Sequence, residues 1–326
     1  MRDLNENCVV KICDHFSIPT STFSTSTMPA ILLLLLISIS LPGQAEDPAF
    51  SIQSDQAKLD VFLHNAPVDF DPTAIQKWIQ HSANIVTEYY GQFPTAKTRI
   101  DLDLFPGGGI TGGTAYGTPR ARIALTVGQF NSYADLQGDW RLIHEMVHLA
   151  LPRLDPQHHW LEEGLATYVE SIIRAQAGDL TPTLVWKGLH RGLPHGLPVT
   201  GETGLDGTLR WGRVYWGGAL FAFYADMMIR EKTNNELSLQ HALKGILAAG
   251  LTHENKLDIS RLFTITDQAT STNILSNLYT RSGSKKWLPD LDQLWKSLGL
   301  TVQGDEVSFN NKASKAQLRL ALLARQ

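Results

Sequence analysis

Twelve residues, Asp139-Trp-Arg-Leu-Ile-His144-Glu145-Met-Val-His148-Leu-Ala150, restrict the fold of this chain more than any other stretch. They contain His-Glu-x-x-His. On a helix, His144 and His148 lie one turn apart on one face, and their ring nitrogens can meet at a single ion. Glu145 then sits roughly 60° around the helix from His148, beside the ion, where a base for a metal-activated water belongs. Asp139 is placed to cap the first amides, and Pro152 stops the helix. Leu142, Ile143, Met146, Val147 and Leu149 cover most of its circumference, so the helix should be buried. Two imidazoles and a carboxylate in such a segment are costly unless something satisfies them. A metal does so; a pair of core histidines bonded to backbone carbonyls is the competing arrangement.

A catalytic zinc usually takes three protein ligands and leaves one position open. Downstream comes Trp160-Leu-Glu162-Glu163-Gly-Leu-Ala-Thr-Tyr168-Val-Glu170, which offers two glutamates for the third place, with fourteen residues separating His148 from Glu163. Pro152 and Pro156 supply the turn between the two helices. This pair of motifs resembles the gluzincin metallopeptidases, in particular the catalytic region of the alanyl and glycyl aminopeptidase families, whose third ligand is the glutamate of a Trp-Leu-x-Glu-Gly-x-Ala-x-Tyr helix. The resemblance implies one Zn²⁺ ion held by His144, His148 and Glu163, with Glu145 as general base. Thr167 and Glu170, one and two turns beyond Glu163, are either supporting partners or helix-surface residues. His158 and His159 read as pocket or surface residues.

Upstream, Lys58–His64 alternates as a strand, and Asp71-Pro72 opens a helix with Ile75, Trp78, Ile79, Val86 and Tyr89 on its buried stripe and Gly91 at its end. Thr98–Phe105 and Ala121–Val127 are further strands. Between them runs Pro106-Gly-Gly-Gly-Ile-Thr-Gly112-Gly113-Thr114-Ala-Tyr-Gly117. No Gly-Lys-Ser/Thr follows, so it is not a phosphate loop. It is either a flexible hairpin turn or, as the resemblance implies, an edge strand on which Gly112, Gly113 and Thr114 bind a substrate backbone. The aminopeptidases carry a glutamate here that holds the substrate's free amine. This chain has no acidic residue between Phe105 and Asp135, which favours cleavage without a free N-terminus.

Downstream, residues 179–211 are rich in Gly and Pro and read as a lid bordering the cleft. Tyr215-Trp-Gly-Gly-Ala219 is similar to the Tyr-x-Lys-Gly-Ala of the aminopeptidases, with Gly217 in place of the lysine; the resemblance gives Tyr215 the oxyanion-stabilising role. The small residues 217–219 suit close helix packing. The rest is mainly helical: Glu236–Ala249, Trp287–Leu298 ended by Gly299, and Lys315–Leu323, with a short strand pair around Gly304.

The composition is that of a globular protein, 43% hydrophobic with a formal net charge of −4, and has no basic excess for nucleic acid. Residues 1–45 read as a leader: a short apolar run from Met28, then small residues up to a cleavage site near Ala45. The mature chain would be secreted or periplasmic and off the membrane, unless the leader stays as an anchor. Both cysteines, Cys8 and Cys13, lie in the leader. A metal site in the mature chain must therefore use His and carboxylates. The expected architecture is α+β, a small N-terminal mixed sheet at 46–138 packed on a mainly helical zinc-binding part at 139–326. The expected activity is hydrolysis of peptide or protein substrates. The competing functions are a non-catalytic secreted binding or scaffold protein on the same fold, and hydrolysis of a non-peptide amide.

Overall fold

The structure, a computed structural model, describes residues 46–325; the leader reading of 1–45 and both cysteines lie outside the described residues. The chain is α+β. Five strands, β1 (Phe50–Ser54), β2 (Ala57–His64), β3 (Lys97–Phe105), β4 (Ile110–Tyr116) and β5 (Arg122–Gly128), form a mixed sheet in the order β1-β2-β3-β5-β4. The central β2, β3 and β5 are parallel, and β1 and β4 are antiparallel edges. A parallel pair needs a crossover, and α1 (Thr73–Tyr90) provides it between β2 and β3. Asp71 accepts the Thr73 amide at 2.9 Å, so the helix starts one residue later than Asp71-Pro72 suggested. It ends at Gly91, whose φ of +81° only glycine adopts without strain.

Strand alternation decides which face of the sheet is covered. Leu59 and Val61, Ile100, Leu102 and Leu104, and Ile123, Leu125 and Val127 all point to the helical side and are buried. The opposite face is mostly polar, with Phe62 buried beneath the Arg99 guanidinium. There Asp101 accepts from Arg99 at 2.7 Å and Arg122 at 2.6 Å and pairs with His64 at 2.7 Å. His81 likewise pairs with Asp179 at 2.7 Å.

The glycine-rich stretch is strand β4 rather than a loose turn. Its burial is low along most of its length because nothing described pairs its outer side. A short helix α2 (Tyr133–Gly138) follows β5, capped reciprocally by Ser132 and Asp135. Next comes α3 (Arg141–Leu149). Asp139 is not its cap residue but accepts the Arg141 amide at 2.8 Å. Leu142, Ile143, Met146, Val147 and Leu149 are each at most 3% exposed. Burying five such side chains, at about 1.5–3 kcal/mol each, outweighs the few kcal/mol lost by carrying polar groups inward on the same helix.

The helical part continues through α4 (His159–Ala177), α5 (Pro182–Gly192), α6 (Trp211–Lys232), α7 (Leu239–Ala248), α8 (Ile259–Thr270), α9 (Ile274–Ser282), α10 (Leu291–Leu298), the hairpin β6 (Leu300–Gln303)–β7 (Glu306–Phe309) and α11 (Ala316–Leu323). The reading of 179–211 as a lid is corrected. Thr181 caps α5, and Val185, Trp186, Leu189 and Leu193 are core residues. Its glycines and prolines end a helix and shape a 3-10 turn, which hid the periodicity. The helix expected at Trp287 begins only at Leu291, because Pro289 precedes it and Asp290 caps it by accepting the Gln293 amide. Helices α8 and α9 gave no distinct signal in the sequence.

The α4–α6 contact positions the site. A Cβ on Gly164 would lie 2.1 Å from the Gly218 Cα, and one on Gly218 would lie 1.9 Å from the Trp160 carbonyl oxygen. Both obstacles are backbone, so neither side can yield. The glycine after Glu163 therefore lets α6 touch α4 and brings Tyr215 level with Glu163. Gly218→Ala should destabilise the fold by about 1–3 kcal/mol or more, as overpacking does. Chemical denaturation checks this, and an unchanged midpoint would mean the helices can part freely.

Candidate metal centre and active-site cleft

His144 and His148 point from one face of α3 toward Glu163 on α4. Their Nε2 atoms are 3.2 Å apart, and Glu163 Oε2 lies 3.2 Å from the first and 3.5 Å from the second. Among the described residues these are the group whose ligand atoms all fall within 4.8 Å of one another. Ligands about 2.0–2.1 Å from a tetrahedral zinc stand roughly 3.3 Å from each other, so the spacing suits that ion. The charges agree. Burial would raise the Glu163 pKa, yet the hydrogen bonds and charges of His144 and His148 hold it far below the carboxylate range. Burial would lower His148, yet Glu163, Glu145 and Glu162 push it up to about 9. The array is arranged around a positive charge, and a divalent cation fits it.

The other site residues surround this group. Glu145 is buried on α3, and its Oε1 and Cγ would lie 2.9 Å and 3.2 Å from a Cβ on Gly113. A Cβ on Gly113 would also lie 2.8 Å from Leu125 Cδ2, so Leu125 and Glu145 together occupy the space of its side chain, whereas Gly112 faces nothing within 4 Å. Gly113 and Thr114 line the cleft beside the candidate ligands; Gly112 does not. Tyr215 stacks between Trp211, at 4.8 Å, and His144, at 6.3 Å between ring centroids. Burial first, then the charges of Glu163 and Glu145, raise its pKa far above the phenol value, so its hydroxyl keeps its proton.

His159 Nε2 is 3.4 Å from the second oxygen of Glu163 and supports that carboxylate from outside. His158 is corrected: it is buried and pairs with Asp206 at 2.8 Å, away from the cleft. Glu162 also lines the cleft, but its oxygens are engaged by the Leu154 amide at 2.7 Å and by His159 at 3.3 Å. Thr167 donates to the Glu163 carbonyl oxygen at 2.7 Å. The Glu170 carboxyl is pushed up to about 7 by burial, against the pull of Arg174.

The cleft holds about 790 Å³. Residues 179–211 contribute nothing to its lining, so the expected border is corrected there too. Trp140, Arg153, His253 and Lys256 line it instead. Trp140 belongs to the helix stretch but was given no role, Arg153 carried no motif, and His253 and Lys256 come from a loop far along the chain. Only the fold reveals them.

No family model matches the sequence, and no curated protein matches it. Solved structures do. The crystal structure of an aminopeptidase N family protein from Idiomarina loihiensis aligns with TM-score 0.57 and 17% identity, over 78% of this chain and 49% of that one. An M1 zinc metallopeptidase from Deinococcus radiodurans aligns with TM-score 0.48 and 16% identity, over 75% of this chain and 53% of that one. The chain spans about half the length of these structures. The described residues therefore have a peptidase-like α+β fold. The fold shared with the Idiomarina protein is the one the two helix motifs implied.

Proposed function

We propose that this protein is a zinc-dependent peptidase. One observation carries the reading: His144, His148 and Glu163 converge within 4.8 Å, and Glu145, Tyr215 and an edge strand whose outer side has no partner among the described residues face the same cleft. Zinc in such a set supplies Lewis acidity, polarising a carbonyl and lowering the pKa of water toward ~7. Glu145 takes the proton of the attacking water and returns one to the leaving amine nitrogen. The Tyr215 hydroxyl donates to the oxygen that becomes negative as the carbonyl is attacked. The outer side of β4 receives the substrate backbone as an added strand, at Gly113 and Thr114 inside the cleft and at Gly112 just beyond its lining, with Gly113 leaving room for Glu145.

We further read residues 1–45 as an export signal cleaved near Ala45, so that the enzyme acts outside the cytoplasm. Cleavage does not depend on a free substrate N-terminus: β4 carries no carboxylate, and of the cleft's carboxylates Glu163 lies against both imidazoles, Glu145 is assigned to the water and Glu162 already accepts the Leu154 amide. The test is a mixed peptide library, each member with a free and an acetylated N-terminus, incubated with the protein with and without chelator. Chelator-sensitive cleavage of both forms is expected. Loss of cleavage on acetylation would make the enzyme an aminopeptidase, and no cleavage of any peptide would favour a scaffold role.

A further inference from the structure

The cleft is closed at one end. The segment 252–257 lies across the ends of both α3 and the β4–β5 hairpin. The His253 amide donates to the Leu149 carbonyl at 3.0 Å, the Arg153 amide to that of Asn255 at 2.9 Å, and the Leu257 amide to that of Arg153 at 2.9 Å. The Glu254 carboxylate accepts the Ala121 amide at 2.9 Å. Where β4 ends, a Cβ on Gly117 would be 1.8 Å from the His253 carbonyl oxygen and 3.1 Å from Arg153 Nε. A substrate strand lying along β4 therefore meets a wall of Arg153, His253 and Lys256.

The wall has an uncompensated charge. Arg153 donates only to backbone carbonyls, of His253 at 3.0 Å and Glu254 at 3.4 Å, and pairs with no carboxylate among the described residues. Lys256 pairs with Asp155 at 2.7 Å, but both side chains are more than half exposed, so that pair holds it weakly. The carboxylates of the cleft have other partners: Glu163 stands with His144 and His148 in the candidate ligand set, Glu145 is assigned to the proton transfer, and Glu162 accepts the Leu154 amide. A guanidinium offers five N–H donors in a fork that matches a carboxylate, and two carbonyl bonds do not exhaust it.

We propose that Arg153, with Lys256 beside it, forms an anion subsite at the closed end of the cleft, and that the enzyme prefers substrates presenting a carboxylate there. This deepens the peptidase reading and rests on it. The carboxylate comes from an acidic side chain or from the substrate's C-terminus.

The experiment uses peptide pairs that differ only as Glu against Gln at each position flanking the scissile bond, each with a free and an amidated C-terminus. Wild-type kcat/KM is measured on the full chain, and binding is measured by calorimetry on the zinc-loaded Glu145→Gln protein. A preference of roughly ten- to a hundredfold for the acidic member is expected at one position, the size of a charge-assisted hydrogen bond. A preference that follows only C-terminal amidation assigns the α-carboxylate as the source. Arg153→Gln should bring the ratio close to one, Arg153→Lys should keep most of it, and Lys256→Glu should lower it. The proposal is overturned if wild type shows no preference, or if the preference survives in Arg153→Gln. Should Arg153→Gln fail to fold or to hold zinc, Lys256→Glu decides, and an unchanged ratio there overturns the proposal. If no peptide is either cleaved or bound, the peptidase reading itself falls and the subsite with it.

Discussion

Glu163→Ala is expected to lose zinc, while its neighbour Glu162→Ala keeps it. Glu163 Oε2 is within 3.5 Å of both imidazole Nε2 atoms, and removing it leaves two histidines to hold the ion. The loss in affinity should exceed the roughly 10- to 100-fold typical of losing a partner outside the ligand set. Glu162 instead accepts the Leu154 amide, so its removal leaves a largely buried donor without an acceptor and costs about 1–3 kcal/mol of stability rather than the metal. His148→Ala should behave as Glu163→Ala does. Elemental analysis after dialysis against a mild chelator measures all three. Stoichiometric zinc in Glu163→Ala, or its loss in Glu162→Ala, would mean the wrong glutamate holds the ion.

Glu145→Gln should keep both zinc and fold and lose roughly 100- to 10,000-fold in kcat. Glutamine fills the same volume against Gly113 but cannot carry the proton of the attacking water. Tyr215→Phe should cost about 100- to 1,000-fold, the usual loss for one oxyanion donor, with zinc again retained. Both numbers come from turnover of the best peptide found, read beside metal content. Activity within a few-fold of wild type in Glu145→Gln would remove that residue as the proton carrier. The same result in Tyr215→Phe would remove the hydroxyl; Tyr224 would not replace it, because it packs on Trp287 and does not line the cleft.

The candidate metal group was legible because it depends on local periodicity. His144 and His148 share a helical face whatever the rest of the chain does, and the apolar positions around them require that helix to be buried. The sheet strands were legible for the same reason, since Ile100, Leu102 and Leu104 alternate along a single strand. The lid reading of 179–211 failed because glycine and proline also end helices and shape turns, and α5 buries Trp186 and Leu189 in a core the sequence could not display. Strand β1 was missed because its partner was needed to see it: Phe50–Ser54 is a strand through its pairing with β2.

The sequence alone determined the helix that carries His144, Glu145 and His148, the second helix that carries Glu163, and the alternation that makes one face of the sheet apolar. These follow from repeats of 3.6 and 2 residues, which act over a few positions. The tertiary structure decided how those pieces meet. The Gly164–Gly218 contact places Tyr215 beside Glu163, and the space at Gly113 admits Glu145. The edge position of β4 leaves a strand open above α3, and the 252–257 loop brings Arg153, His253 and Lys256 together to close the cleft. Each of these joins residues distant in sequence, through packing between backbones and between charges, and no local pattern records such a contact.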